Sequence, residues 1–268
     1  MGAQVQDSKA ITLVLVGIGT GNPDHLTAQA ARALNAADLI LIPRKGASKA
    51  DLAELRREIC RQVVTNPATR IAEYDVPRRD AANPDYGAGV DDWHDALAAI
   101  WAAAIADHPT AATVALMVWG DPSLYDSSLR IAARLSPPPA IRVIPGITAL
   151  QALTGAHAIP LNEIGAPVVI TTGRRLRDEG WPPGADTVAV MLDGECSFQA
   201  LDPQGVTIWW GAFVGMEEQL LDHGPLAEAA PRIIATRAAA RARHGWVMDI
   251  YLMRRIKPVF PEKTGAKG

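Results

Sequence analysis

Two cysteines in 268 residues, Cys60 and Cys196, are too few and too far apart for a disulfide framework, and they form no metal or redox spacing. Both are expected to stay reduced thiols. The six histidines are scattered without ligand spacing, so no metal site is expected. No apolar run approaches the roughly 18 to 20 residues that a membrane helix requires. The opening stretch MGAQVQDSKA is polar and lacks the apolar core of a signal peptide, and Gln6 stands where a myristoylation signal wants Ser or Thr. A cytoplasmic location is therefore expected. Charge of one sign is not in excess either: 26 Lys and Arg against 29 Asp and Glu leave −3. No global field draws the chain to nucleic acid or to a membrane, and neither is expected as a partner. Any anionic ligand needs a local basic patch. A Gly-x-Ser-x-Gly elbow, a phosphate-binding lysine loop, an internal repeat of fixed period and low-complexity sequence are all missing as well.

What remains is an ordinary globular composition, 49% hydrophobic and 21% charged, in a chain long enough for one large α/β domain or two medium ones. ITLVLVGIG (Ile11–Gly19) is a short apolar run ended by glycines, as expected of a buried parallel strand. LTAQAARALNAA predicts a helix, DLILIP (Asp38–Pro43) a strand, and DLAELRREICRQVV a helix with Leu52, Leu55, Ile59 and Val63 on one face. Trp93, Leu97, Ile100, Trp101 and Ala104 predict another helix after a start signal at Asp91-Asp92. TVALMVW, SLRIAARL, IRVI and TALQALTGA continue the alternation as strand, helix, strand, helix. The first half therefore predicts a mostly parallel sheet with helices on its faces.

The connector AHAIPLNEIGAP breaks that rhythm, and VVITT, TVAVML, VTIWWGAF and WVMDIYLM follow as strands of a second, mixed-sheet domain. The fold class is thus α/β with two domains, expected at 1–158 and 159–268. The segment after Pro258 is expected to be loose. Ile208–Trp210 (IWW) has no basic interleaving and reads as strand core or dimer face.

The loop VGIGTGNPDHLT between the first strand and first helix suggests a nucleotide-binding turn. The dinucleotide fingerprint, however, wants a third glycine where Asn22 stands, Pro23 forces a different turn, and strand two ends in PRK rather than an acidic residue. The plain alternative is a tight strand-to-helix turn capped by Asp24 or Thr27.

Its companions change the weight of that loop. VGIGTGNPDHLT, WGDPSLY and IPGITALQAL each follow a strand, where ligands collect in an open α/β sheet. In this order and spacing the three resemble the tetrapyrrole methylases, two-domain S-adenosylmethionine enzymes of the cobalamin and sirohaem pathways. The resemblance runs from Ile11 to about Arg255, with Thr20 standing where the family's first motif usually has Pro. IPLNEIGAPVVITTGRRL, VAVMLDGECSF, WWGAFVGMEEQLLDHG and GWVMDIYLMRR are similar to one branch of that family. That branch methylates precorrin-5 at ring carbon C-1 and loses the earlier acetyl group as acetate.

The resemblance implies S-adenosylmethionine as cofactor and S-adenosylhomocysteine as its product, in a ligand cleft between the two domains with the Gly120-Asp121-Pro122 loop as a main wall. It implies cofactor contacts from Thr20, Gly120, Asp121, Pro122, Ser123, Tyr125, Thr148, Ala149, Leu192, Asp193 and Ala212. Gly120 lets backbone approach a ligand, and Pro122 fixes the turn. Asp121 is an anion beside a sulfonium, and Tyr125 offers a ring face or a hydroxyl, so these two carry the catalytic expectation. The alternative for Asp121 and Ser123 is to cap the following helix.

Methyl transfer needs alignment more than proton chemistry. Acetyl loss invites a base, for which Asp193, Glu195, His157 and Asp121 are candidates. The tetrapyrrole substrate carries carboxylate arms, for which Arg44, Lys45, Arg78, Arg79 and above all Arg174, Arg175 and Arg177 are candidate holders. Family members are typically homodimers. The readings kept beside this one are a precorrin methylase acting at another ring position, a catalytically silent tetrapyrrole carrier, and a nucleotide-dependent oxidoreductase.

Overall fold

The computed structural model describes residues 11–44, 50–77 and 86–255. Lys45, Arg78, Arg79 and the segment after Pro258 lie outside them. The chain divides into two compact units, Met1–Ala149 and Leu150–Gly268.

The first unit runs β1 (Thr12–Gly17), α1 (Ala28–Asn35), β2 (Leu39–Arg44), α2 (Ala50–Val63), β3 (Arg70–Asp75), α3 (Tyr86–Ala106), β4 (Thr113–Val118), α4 (Ser128–Ala132) and β5 (Ala140–Ile144). Its five strands are all parallel, in the order β3-β2-β4-β1-β5. The apolar runs of β1, β2 and β4 follow from burial on both faces. Leu13, Leu15, Leu39, Leu41, Leu116 and Val118 pack with Trp101 and Ile131 on one side. Their immediate neighbours, including Val14, Val16, Ile40, Ile42 and Met117, pack with Leu34, Ile59 and Cys60 on the other. Adjacent residues thus feed opposite cores, as the two-residue strand period requires.

The second unit begins within α5 (Ala149–Ala156), whose first residue still belongs to the first unit, and continues with β6 (Val168–Thr172), α6 (Gly173–Glu179), β7 (Thr187–Met191), β8 (Val206–Ala212), β9 (Leu220–Pro225), α7 (Leu226–His244) and β10 (Asp249–Arg255). Its sheet order is β6-β7-β10-β8-β9, with β6 and β7 parallel and the remaining pairs antiparallel. The α/β class, the parallel first sheet and the mixed second sheet are as expected.

Several elements differ from the sequence reading. β3 was not anticipated: it is an edge strand whose RIAEYD buries Tyr74 alone, so no apolar run marks it. α3 begins at Tyr86, ahead of Asp91-Asp92. That acidic segment serves Arg134, whose guanidinium donates to Asp91 and Asp95 at 2.6 Å each. α4 stops at Ala132, short of the predicted SLRIAARL, before a run of prolines that cannot extend it. Three further elements, α6, β9 and α7, were not anticipated in the second unit. Among the described residues, no helix is long and apolar enough to cross a membrane.

Candidate active site

Three loops leave the C-terminal ends of adjacent strands in the first unit. Register sets Gly17 of β1 beside Val118 of β4, and Val16 beside Ile144 of β5. VGIGTG, WGDPS and IPGIT therefore start at one level of the sheet. They are then stitched together. Gly19 and Gly120 exchange backbone hydrogen bonds, with Gly120 N–H donating to Gly19 O at 2.7 Å and Gly19 N–H to Gly120 O at 3.3 Å.

The three chains approach too closely for side chains at the contact. A Cβ on Gly17 would lie 2.6 Å from Gly146 N and 2.8 Å from Gly120 O, and one on Gly146 would collide with Gly120 O. A Cβ on Gly120, at φ +66°, would meet only Thr148 Cα at 3.9 Å, so its backbone conformation rather than crowding calls for glycine there.

Asp121 is the tie between two of these loops. It is buried, one carboxylate oxygen accepts from Gly146 N–H at 2.8 Å, and the other accepts from the N–H and hydroxyl of Ser123. Burial pushes its carboxyl upward, but the Ser123 hydroxyl and the two N–H groups outweigh burial and hold it below the ordinary carboxylate value. Asp121 thus does not cap α4, whose first residue is Ser128. Tyr125 ends the loop at φ +49° with 43% of its surface exposed. A non-glycine residue held in that region is strained, and such strain collects at functional loops.

On the neighbouring loop Thr20 is buried, and its hydroxyl lies 2.8 Å from His25 Nδ1. A side-chain bond therefore fixes this turn. Thr27 caps α1 by accepting from Ala30 N–H at 3.0 Å, and Asp24 does not. Thr148 is buried and Ala149 opens α5. All first-unit residues expected to touch cofactor thus stand on these three loops.

In the second unit β7 ends in a comparable anchor. The Asp193 carboxylate accepts from Glu195 N–H (3.0 Å), Ser197 N–H (2.6 Å), Ser197 Oγ (2.9 Å) and Tyr251 Oη (2.7 Å). Burial pushes the Tyr251 phenol far above its usual value, and the Asp193 charge adds to it, so the proton stays on tyrosine and is donated. Gly173 leaves the space that the Asp193 carboxyl fills. Arg237 on α7 pairs with buried Asp249 at 2.9 Å and donates to the Asp193 carbonyl at 3.1 Å, while Trp210 Nε1 donates to Asp249 at 3.0 Å.

With Asp193 pinned inward, Leu192 is turned out at φ +54° with 68% exposure. Ala212 is fully buried at the end of β8, between Asp249 of β10 and Leu220 of β9. Tyr251, Ser197 and Arg237 were not anticipated. A tyrosine and an arginine inside otherwise apolar elements are a signal, but sequence does not say what they face.

The arginines expected to hold substrate are exposed and already engaged. Arg44 forms a two-pronged pair with Asp75 at 2.9 Å, its partner across the β2–β3 register. Arg175 pairs with Glu179 at 2.8 Å, and Arg177 pairs with Asp178 and Glu195. Arg174 is exposed in the first turn of α6. Of the candidate bases, Asp121 and Asp193 have their oxygens committed and Glu195 is paired. His157 rests its Nε2 against Trp210 O at 3.0 Å, and burial lowers its basicity.

Residues 12–230 match the family described as tetrapyrrole (corrin/porphyrin) methylases. The chain is 48% identical over 248 residues to a precorrin-6A synthase (deacetylating) of Sinorhizobium sp, covering 91% of this chain and 95% of that protein. The crystal structure of a cobalamin-synthesis-related protein (CobF) from Corynebacterium diphtheriae superposes with a TM-score of 0.78 at 36% identity, covering 92% of this chain and all of that one. A uroporphyrin-III C-methyltransferase of Thermus thermophilus, crystallised with S-adenosylhomocysteine, shares the fold with a TM-score of 0.54 at 19% identity, over 91% of this chain and 97% of that one. Joined to the three stitched loops, these matches over most of the sequence give one conclusion: the chain belongs to the tetrapyrrole (corrin/porphyrin) methylase family.

Proposed function

We propose that the chain is an S-adenosylmethionine-dependent C-methyltransferase of cobalamin biosynthesis. It methylates precorrin-5 at C-1, releases the acetyl group as acetate and yields precorrin-6A. The observation that carries this reading is the 48% identity to a precorrin-6A synthase (deacetylating) over 91% of the chain. It acts in the cytoplasm and as a homodimer.

S-adenosylmethionine, when bound, supplies an electrophilic methyl group on a sulfonium. The backbone of Gly120 and Pro122, with Thr20, Ser123, Thr148 and Ala149 beside it, forms a main-chain wall for the cofactor. Asp121 works as a fixed negative charge rather than a proton carrier, favouring the sulfonium over the neutral thioether product. Its commitment to Gly146 and Ser123 keeps that charge in place. Tyr125 meets ligand with its exposed ring. Aligning nucleophilic carbon, methyl and sulfur in this way supplies several kcal/mol without an added nucleophile.

Arg44, Arg174, Arg175 and Arg177 hold carboxylate arms. For Arg44, Arg175 and Arg177 this means exchanging exposed ion pairs, each worth only about 0–1 kcal/mol, so the exchange costs little. Acetyl loss proceeds without a buried side-chain base: Asp121, Asp193 and His157 are engaged, and methylation at C-1 leaves an electron-deficient ring that expels the acyl group to water.

Turnover with precorrin-5 and S-adenosylmethionine, read by mass, tests the proposal. One methyl gained and one acetyl lost per ring is the expected product. A ring that gains methyl and keeps acetyl assigns methylation at another position, and an unchanged ring with bound cofactor leaves the carrier reading.

A further inference from the structure

The first sheet has a topological switch point. Chain leaving β2 turns outward to β3, whereas chain leaving the adjacent β4 turns the other way, to β5. The β2–β4 register runs only from Leu39↔Val114 to Leu41↔Leu116, although the strands continue to Arg44 and Val118. Beyond Leu41 and Leu116 they part. Crevices of this kind, at the carboxyl ends of strands whose loops diverge, are where open α/β sheets take ligands.

A cavity of about 110 Å³ sits there, lined by Pro43 of β2, Met117 and Val118 of β4, and Tyr74, Trp93, Trp101 and Trp119. Among the described residues one cation lines it: Arg56 of α2, 7% exposed. Its Nε donates to Met117 O at 3.2 Å, its Nη1 donates to Leu52 O at 2.9 Å, and its guanidinium lies 5.5 Å from the Trp119 ring centre. Neutral carbonyls thus orient the group, and Nη2 makes no hydrogen bond among the described residues. No carboxylate among them comes within 4.0 Å of the guanidinium. Asp126 lines the cavity too, but its Oδ1 accepts from Ser128 N–H at 2.6 Å. Burial lowers the Arg56 pKa to about 10, so it stays charged at neutral pH.

Among the described residues no carboxylate pairs with the buried guanidinium at contact distance, and Asp126, which lines the same cavity, offsets its charge only from farther off, so an anion seated against Nη2 would stabilise it further. The aromatic lining excludes a strongly hydrated, compact ion and suits a carboxylate on a short carbon chain. Trp119 and Asp126 bracket the loop from Gly120 to Tyr125, so an occupant lies directly behind that loop. We infer that the Arg56 cavity between β2 and β4 is a carboxylate-binding subsite. Its source is either an acetate or propionate arm of the tetrapyrrole or the acetate released; the arm rests on the function proposed above.

The probe is sodium acetate, titrated against tryptophan fluorescence at constant ionic strength with sodium chloride as control. A saturable change is expected in the wild type, weakened about tenfold in Arg56→Lys, which keeps charge but loses the fork, and absent in Arg56→Met. Absence of saturation in the wild type, or identical saturation in the variants, overturns the subsite. Arg56→Lys carries the test if Arg56→Met does not fold. Precorrin turnover then separates the sources: an arm site makes acetate raise KM for the tetrapyrrole, and a product site makes it lower kcat. The titration needs no turnover, so acetate binding through Arg56 in a chain that transfers no methyl would sink the methylase reading and leave the subsite standing.

Discussion

Asp121 meets three donors with two oxygens, and each donor belongs to a loop that must stay still. Replacing it by Asn keeps the shape but puts an amide where donors already point, and it removes the charge that strengthens those bonds. We expect Asp121→Asn to lose about 1–3 kcal/mol at neutral pH. Because the folded carboxyl sits below its ordinary value of 3.8, this stabilisation is full above that value. It fades as pH falls through the still lower folded value. Urea melts at neutral pH and at successively lower pH check this: the gap between wild type and variant should close only in the acid range. A gap independent of pH would mean that shape, not charge, holds the loops.

The site residues themselves were legible because Gly, Pro and Asp cluster at strand ends for local reasons. Their division of labour was not. Nothing in MLDGE says that Asp193 faces inward to Tyr251, a partner 58 positions away, while Leu192 faces out. Arg56 was hidden for a similar reason, as one arginine among several in LRREICRQ.

At the scale of elements, the crossing of β1, β4 and β5 loops is held by the lack of side chains. Gly146→Ala should unseat Gly17 and Gly120 together, since its Cβ would strike backbone that cannot rotate away. Gly155→Ala, in α5 with nothing within 4 Å, is the matched control and should be neutral or slightly stabilising. Thermal melts and cofactor titrations of both variants test this. Equal behaviour would show that the crossing relaxes easily.

Strands with two buried faces announced themselves as apolar runs, and amphipathic α2 did so by its spacing. The edge strand β3 did not, because exposure removes the pattern that reveals a strand. α7 was masked by Pro231 inside it and by Arg237 at a core-facing position, although Leu226, Ala229, Ile233 and Ala240 keep helical spacing. A charged residue paired across the fold breaks an apolar stripe without breaking the helix.

For the whole molecule, the strand–helix alternation of the first half correctly placed the chain as α/β, and the shift to closely spaced strands marked the change of sheet type. The partial glycine fingerprint suggested a dinucleotide enzyme, and the departures at Asn22 and Pro23 argued against it. Asn22 accepts from Asp24 N–H at 2.9 Å and starts a short 3₁₀ turn at Pro23–His25, so the chain does not enter a helix where a pyrophosphate would need one. The measurement that bears most directly on the account is calorimetric titration of the purified protein with S-adenosylhomocysteine beside NADP. The account predicts micromolar binding of S-adenosylhomocysteine and silence from NADP. Binding of NADP with S-adenosylhomocysteine silent would contradict it.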